Sequence, residues 1–83
     1  MFYVYILQSE VDQSFYIGFT EKIEKRLIQH NNGESTYTSR KIPWKLVYHE
    51  EFNDKSVALK REKFLKAQKN KVFYQTLING LDR

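Results

Sequence analysis

Two tyrosines eleven positions apart, Tyr5 within Tyr3-Val4-Tyr5-Ile6 and Tyr16 within Tyr16-Ile17-Gly18, head a set of side chains able to act on a phosphate ester. Arg26 follows ten positions after Tyr16, His30 one helical turn later, and Glu62 closes the run Ala58-Leu59-Lys60-Arg61-Glu62. A guanidinium grips a phosphate through two parallel hydrogen bonds and stays charged while negative charge builds in a transition state. An unperturbed imidazole titrates near about pH 6.5 and can relay protons. A carboxylate can hold a divalent cation whose remaining ligands are waters and substrate oxygens. Phosphodiester hydrolysis is the reaction these groups could perform together.

Positioning them requires two strands and two helices. Phe2 to Leu7 and Phe15 to Thr20 read as strands, joined by the polar stretch Gln8-Ser9-Glu10-Val11-Asp12-Gln13-Ser14 as a hairpin loop. Phe2, Val4 and Ile6 alternate with Tyr3, Tyr5 and Leu7, so the first strand is apolar or aromatic on both faces, as a central strand would be. Thr20 can cap a helix running to about Asn31, with Ile23 and Leu27 inward and Asn32-Gly33 as its stop. Lys22, Arg26 and His30 then line up on a polar stripe away from those two. Glu34 to Ile42 is a polar loop, and Pro43 precedes a third strand from Trp44 to about Phe52. Asn53 or Asp54 caps a helix to about Gln68, and a last helix spans Lys71 to Asn79 before Gly80. The order β-β-α-β-α-α predicts an α+β fold of the broader α/β kind: a small central antiparallel three-stranded sheet flanked by helices, one domain over residues 1–83.

On the helix after Asp54, a 100° period puts Val57, Ala58, Phe64 and Leu65 on the buried arc with Glu62 beside it. A carboxylate at that edge is partly desolvated and costs free energy unless paired or metal-bound. An ion pair with Arg61 or a basic residue from another element is the plainer way to meet that requirement, and a bound metal is the other. Tyr3, Tyr48 and Tyr74 are assigned to packing, and Trp44 to a core anchor. Tyr37 lies in the loop Ser35-Thr36-Tyr37-Thr38-Ser39-Arg40, where a ring could stack on a base or brace the site. Lys60, Lys63, Lys69 and Lys71 spread around their helices as solubilising charges.

The two tyrosine motifs, Arg26, His30 and Glu62 together resemble the GIY-YIG endonuclease family, over nearly the whole chain from Phe2 to about Asn79 and closest in layout to its small standalone single-domain members. The sequence departs from that pattern in two places. The first motif, Tyr3-Val4-Tyr5, lacks the glycine. Many active members also carry an asparagine about a dozen residues after the glutamate, where this chain has Val72-Phe73-Tyr74-Gln75, and Asn70 and Asn79 both miss the spacing.

The resemblance implies a metal-dependent endonuclease acting on DNA, with structure selectivity and a role in repair or recombination as further expectations. Glu62 would bind magnesium or manganese, Tyr5 would take the proton of the attacking water, Tyr16 would orient that water or a phosphate oxygen, and Arg26 would bind the scissile phosphate. Tyr5 would then need a phenol pKa well below its usual value of about 10. His30 would assist as a relay, and Gly18 would leave room for the substrate backbone beside Tyr16. Lys22, Arg26, Tyr37 and Arg40 form the expected nucleic-acid contact set. RNA fits these residues as well as DNA does, and a partner protein could choose the substrate, since no helix-turn-helix, zinc finger or basic arm is present to read sequence. Two other classes compete: a nucleic-acid-binding module that cleaves poorly, favoured by the missing asparagine, and a protein-interaction module in which Glu62 is a structural ion pair.

Composition agrees with a nucleic-acid partner. Fourteen Lys and Arg against ten Asp and Glu give a net charge of +4, which attracts a polyanion. A chain of 83 residues with 41% hydrophobic and 16% aromatic content sustains one thin, ring-rich core. With no cysteine it has neither a disulfide framework nor a thiolate zinc site. It has no apolar run of membrane-spanning length and starts in a strand pattern rather than a leader, so the expectation is a cytoplasmic protein with no membrane partner.

Overall fold

The computed structural model describes residues 1–80. Its elements are β1 (Phe2–Ser9), β2 (Phe15–Thr20), α1 (Ile23–Asn31), β3 (Trp44–Phe52), α2 (Lys55–Gln68) and α3 (Lys71–Asn79), with a short 3₁₀ turn at Ser39–Lys41. The predicted α+β order holds, and the strands form one antiparallel sheet in the order β2-β1-β3.

Because β1 is central, both of its faces are covered. Val4 and Ile6 turn to one side and pack with Ile17 against Ala58, Leu65, Tyr74 and Leu77 from α2 and α3. Tyr5 and Leu7 turn to the other, where Trp44 joins them under Ile23 and Leu27 of α1. The register aligns Tyr5 with Gly18 and Leu7 with Tyr16, so side-chain alternation sets Tyr5 and Tyr16 on the α1 face as near neighbours. A bulge between Ile6 and Leu7 interrupts the pairing of β1 with β3.

Helix ends follow local chemistry. Asp54 caps α2 by accepting from the Ser56 and Val57 amides, and Asn70 caps α3 by accepting from Phe73. Gly33 supplies the positive φ of 77° that ends α1. Thr20 does not cap: α1 begins only at Ile23, and the Thr20 hydroxyl instead accepts from the Lys22 amide at 3.0 Å, closing a turn ahead of the helix.

The inward face of α2 differs from the arc expected from hydropathy. Val57 and Phe64 are each 47% exposed, while Ala58, Arg61, Glu62 and Leu65 form the stripe that meets the sheet. Arg61 accounts for the rotation, since its guanidinium makes two 2.9 Å hydrogen bonds to Glu50 of β3, and such a fork fixes a helix azimuth. Phe64 packs on Phe73 of α3 and lies beneath the Arg61 guanidinium. Among the described residues no helix is long and apolar enough to cross a membrane.

Candidate active site

Tyr5 lies at the centre of the α1 face, only 1% exposed. Its ring crosses directly over Gly18 of the neighbouring strand. A Cβ at residue 18 would stand 2.5 Å from Tyr5 Cζ and 2.9 Å from Cε2, inside van der Waals contact. Gly18 therefore makes room for the Tyr5 phenol, a use that the sequence did not suggest.

His30 corrects the sequence reading. It is fully buried rather than part of an outward polar stripe, because Ile23, Leu27 and His30, spaced i, i+4, i+7, form the inward face of α1. Tyr5 Oη and His30 Nε2 are 3.0 Å apart, and His30 Nδ1 is 2.8 Å from Thr38 Oγ1. The Thr38 hydroxyl lies 3.5 Å from the Ser35 carbonyl, which accepts its proton. Thr38 then accepts from Nδ1–H, Nε2 carries a lone pair, and Tyr5 donates to it. Trp44 fixes this end of the chain by donating its indole N–H to the Thr38 carbonyl at 2.9 Å, while Asn31 bonds both backbone groups of Trp44.

Burial and the nearby Arg26 charge hold the imidazole below its ordinary pKa, so it is neutral near pH 7. The Tyr5 phenol moves opposite to the expectation. Burial pushes it up to about 12, opposed by Arg26 beside it and helped by Tyr16 and the negative charge of Glu62. Tyr5 is thus a protonated phenol in the free protein. Arg26 is exposed, held by Gln29 at 3.3 Å, and makes no ion pair among the described residues, leaving its guanidinium available to an anion.

Glu62 lies on α2, which packs on the face of the sheet opposite α1. Lys66, one turn further along α2, shares a cavity of about 390 Å³ with Tyr16 and Tyr37. The Glu62 side chain is 18% exposed and pairs with Lys66 at 3.1 Å, not with Arg61. A hard carboxylate at a half-open edge suits a cation that keeps most of its water, provided Lys66 yields. Among the described residues no group of three or more His, Asp or Glu converges on a metal position, so most ligands of a cation on Glu62 would have to come from water and substrate.

The structure brings Tyr5, Tyr16 and His30 into contact, with Arg26 beside them, while Glu62 stands on the helix across the sheet. Tyr37 joins them: it is 76% exposed, and its ring centroid is 5.7 Å from that of Tyr16. Lys22 is exposed on a cavity it shares with Arg26. Arg40 is exposed on the 3₁₀ turn, and among the described residues no hydrogen bond ties it to the tyrosines. Asn70 caps α3 by accepting from the Phe73 amide, and Asn79 accepts from Gln75 at 3.2 Å. Thr38 and Lys66 were missed in the sequence. Only Lys66 left a sign there, its i, i+4 spacing from Glu62.

The profile of the GIY-YIG catalytic domain matches residues 1–77. A UPF0213 protein of Staphylococcus saprophyticus is 51% identical over 61 residues, covering 72% of this chain and 73% of the relative. One from Haloquadratum walsbyi is 38% identical over 81 residues, covering 96% and 90%. The solution NMR structure of a UPF0213 protein from Bacillus halodurans matches with a TM-score of 0.59 at 31% identity, over 95% of this chain and 84% of that one.

Proposed function

The chain belongs to the GIY-YIG family, whose catalytic domain is a nuclease domain, and on that premise we propose that it is a divalent-metal-dependent endonuclease that hydrolyses phosphodiester bonds in DNA. Selection by DNA structure and a place in cytoplasmic repair or recombination are part of the proposal. The observation that carries it is the buried hydrogen-bonded chain from Tyr5 through His30 to Thr38, next to a guanidinium with no acidic partner.

Glu62 would hold magnesium or manganese, which when bound polarises a phosphate oxygen. Arg26 binds the scissile phosphate and faces the charge that builds on it. Tyr16 orients the attacking water. Tyr5 accepts the water's proton while its own passes to Nε2 of His30, so the phenol never has to ionise first, which its raised pKa would oppose. Thr38 holds the imidazole in the tautomer this transfer requires.

The test is cleavage of labelled single-stranded, duplex, flap and branched DNA with magnesium or manganese by wild type, Glu62→Gln and Tyr5→Phe, with melting curves for all three. Cutting that needs metal and falls by about a hundredfold or more in both folded variants is the expected result. Salt-sensitive binding with no cutting on any substrate would replace the nuclease with a nucleic-acid-binding module.

A further inference from the structure

The cavity at the β2 edge has two walls of different chemistry. Phe15, Tyr16 and Tyr37 supply rings, and Lys66 and Lys69 supply ammonium groups, around about 390 Å³. That is the lower range for small-ligand sites. Tyr37 leaves three quarters of its surface in solvent, an arrangement with no packing explanation, since only Tyr16 among the aromatic residues braces it.

Lys69 carries a second, independent sign. It ends α2 with φ 46° and ψ 41°, the left-handed conformation where glycine is the ordinary residue and a side chain is strained. The Tyr74 hydroxyl accepts from the Lys69 amide at 3.1 Å and donates to the Leu65 carbonyl at 2.6 Å, so the strained backbone is clamped in place. Strain held in place at a cavity wall points to a use for the side chain.

Resting on the nuclease reading, we propose that this cavity is a subsite for one unpaired nucleotide of DNA beside the scissile phosphate. Its base stacks on Tyr37 against the ring wall, and its phosphate sits between Lys66 and Lys69. A base in a duplex is already stacked on its neighbours and cannot enter, so the subsite selects DNA with an unpaired nucleotide at the cut. Lys66 is shared with Glu62, so a phosphate that draws the ammonium into the cavity also releases the carboxylate.

The experiment is fluorescence anisotropy in EDTA, where no metal supports cutting, on a duplex with a short single-stranded flap, the same flap with an abasic junction nucleotide, and the fully paired duplex. Wild type should bind the flap more tightly than the duplex. Tyr37→Ala should weaken flap binding about tenfold with duplex binding unchanged, and the abasic flap should reproduce that loss in wild type. Lys69→Gly should also weaken flap binding while its Tm stays level or rises, which separates a lost contact from a damaged fold. Equal losses on flap and duplex, or none on either, would overturn the subsite. Loss of the flap preference in wild type overturns the subsite, whereas an intact flap preference in EDTA with no cutting in the magnesium or manganese assay overturns the nuclease reading alone.

Discussion

Replacing Gly18 by alanine should be among the most damaging single-methyl changes available to this fold, for a reason unrelated to backbone freedom. The added Cβ would stand 2.5 Å from Tyr5 Cζ, whereas carbon atoms settle at about 3.5–4.0 Å, so the ring must retreat by about 1 Å. It has nowhere to go: Tyr5 is buried, its Oη is tied to His30, and Gly18 is paired to it across β1 and β2. Overpacking of this kind costs about 1–3 kcal/mol. Displacing Oη from Nε2 adds the loss of one buried hydrogen bond, about 1 kcal/mol. The sum of about 2–4 kcal/mol would lower Tm by about 10–25 °C in a domain of this size. Urea unfolding of Gly18→Ala, Tyr5→Leu and the double variant reads the effect directly, since without the phenol ring the alanine should be nearly free. A coupling of more than about 1 kcal/mol is expected, and additivity within about 0.5 kcal/mol would show that ring and methyl never compete.

Thr38→Val keeps the shape but removes the acceptor for His30 Nδ1–H; it should cost about 1–3 kcal/mol and raise the Nε2–H tautomer population seen in nitrogen-15 NMR of the imidazole. His30 has a folded pKa below its unfolded value, so the unfolded chain binds the extra proton first. Stability should therefore fall as pH drops below about 6.5, and His30→Gln should flatten that slope in urea titrations from pH 7 to 5. Burial acts to raise the Glu50 carboxyl, but hydrogen bonds from Arg61 and Tyr48 outweigh it and its pKa lies below the ordinary value. The stability it contributes is present above about pH 4.3 and lost on further acidification, and Glu50→Gln should remove about 1 kcal/mol at pH 7 along with that acid step.

The elements were legible because their signals are local. The alternation of Phe2 to Leu7, Gly33 after α1, the Asp54 cap and the breaks around Asn70 and Gly80 each act over a few residues, and the structure follows them closely. What failed depends on partners distant in sequence. His30 reads as solvated because hydropathy cannot foresee Tyr5, 25 positions earlier, or Thr38, eight later, as its buried partners. Val57 and Phe64 read as core because the Arg61–Glu50 pair that rotates α2 joins two separate elements. The use of Gly18 depends on a cross-strand register that no motif states. Tyr5, Tyr16, Arg26 and Glu62 were legible as a set through the family pattern, and their contacts were not.

The central strand has a consequence for how this protein can drift over generations. Along β1, Val4 and Ile6 belong to the hydrophobic layer under α2 and α3, while Tyr5 and Leu7 belong to the layer that frames His30. Neighbouring residues of one strand therefore serve different layers. Shortening Val4 or Ile6 opens the layer under α2 and α3, whereas Tyr5→Phe leaves the ring in its slot over Gly18 and removes only the hydroxyl that bonds His30, at a cost of about 1 kcal/mol. Under the proposed mechanism, that one conservative step ends proton transfer while both layers stay packed. The same strand makes the reverse step equally short.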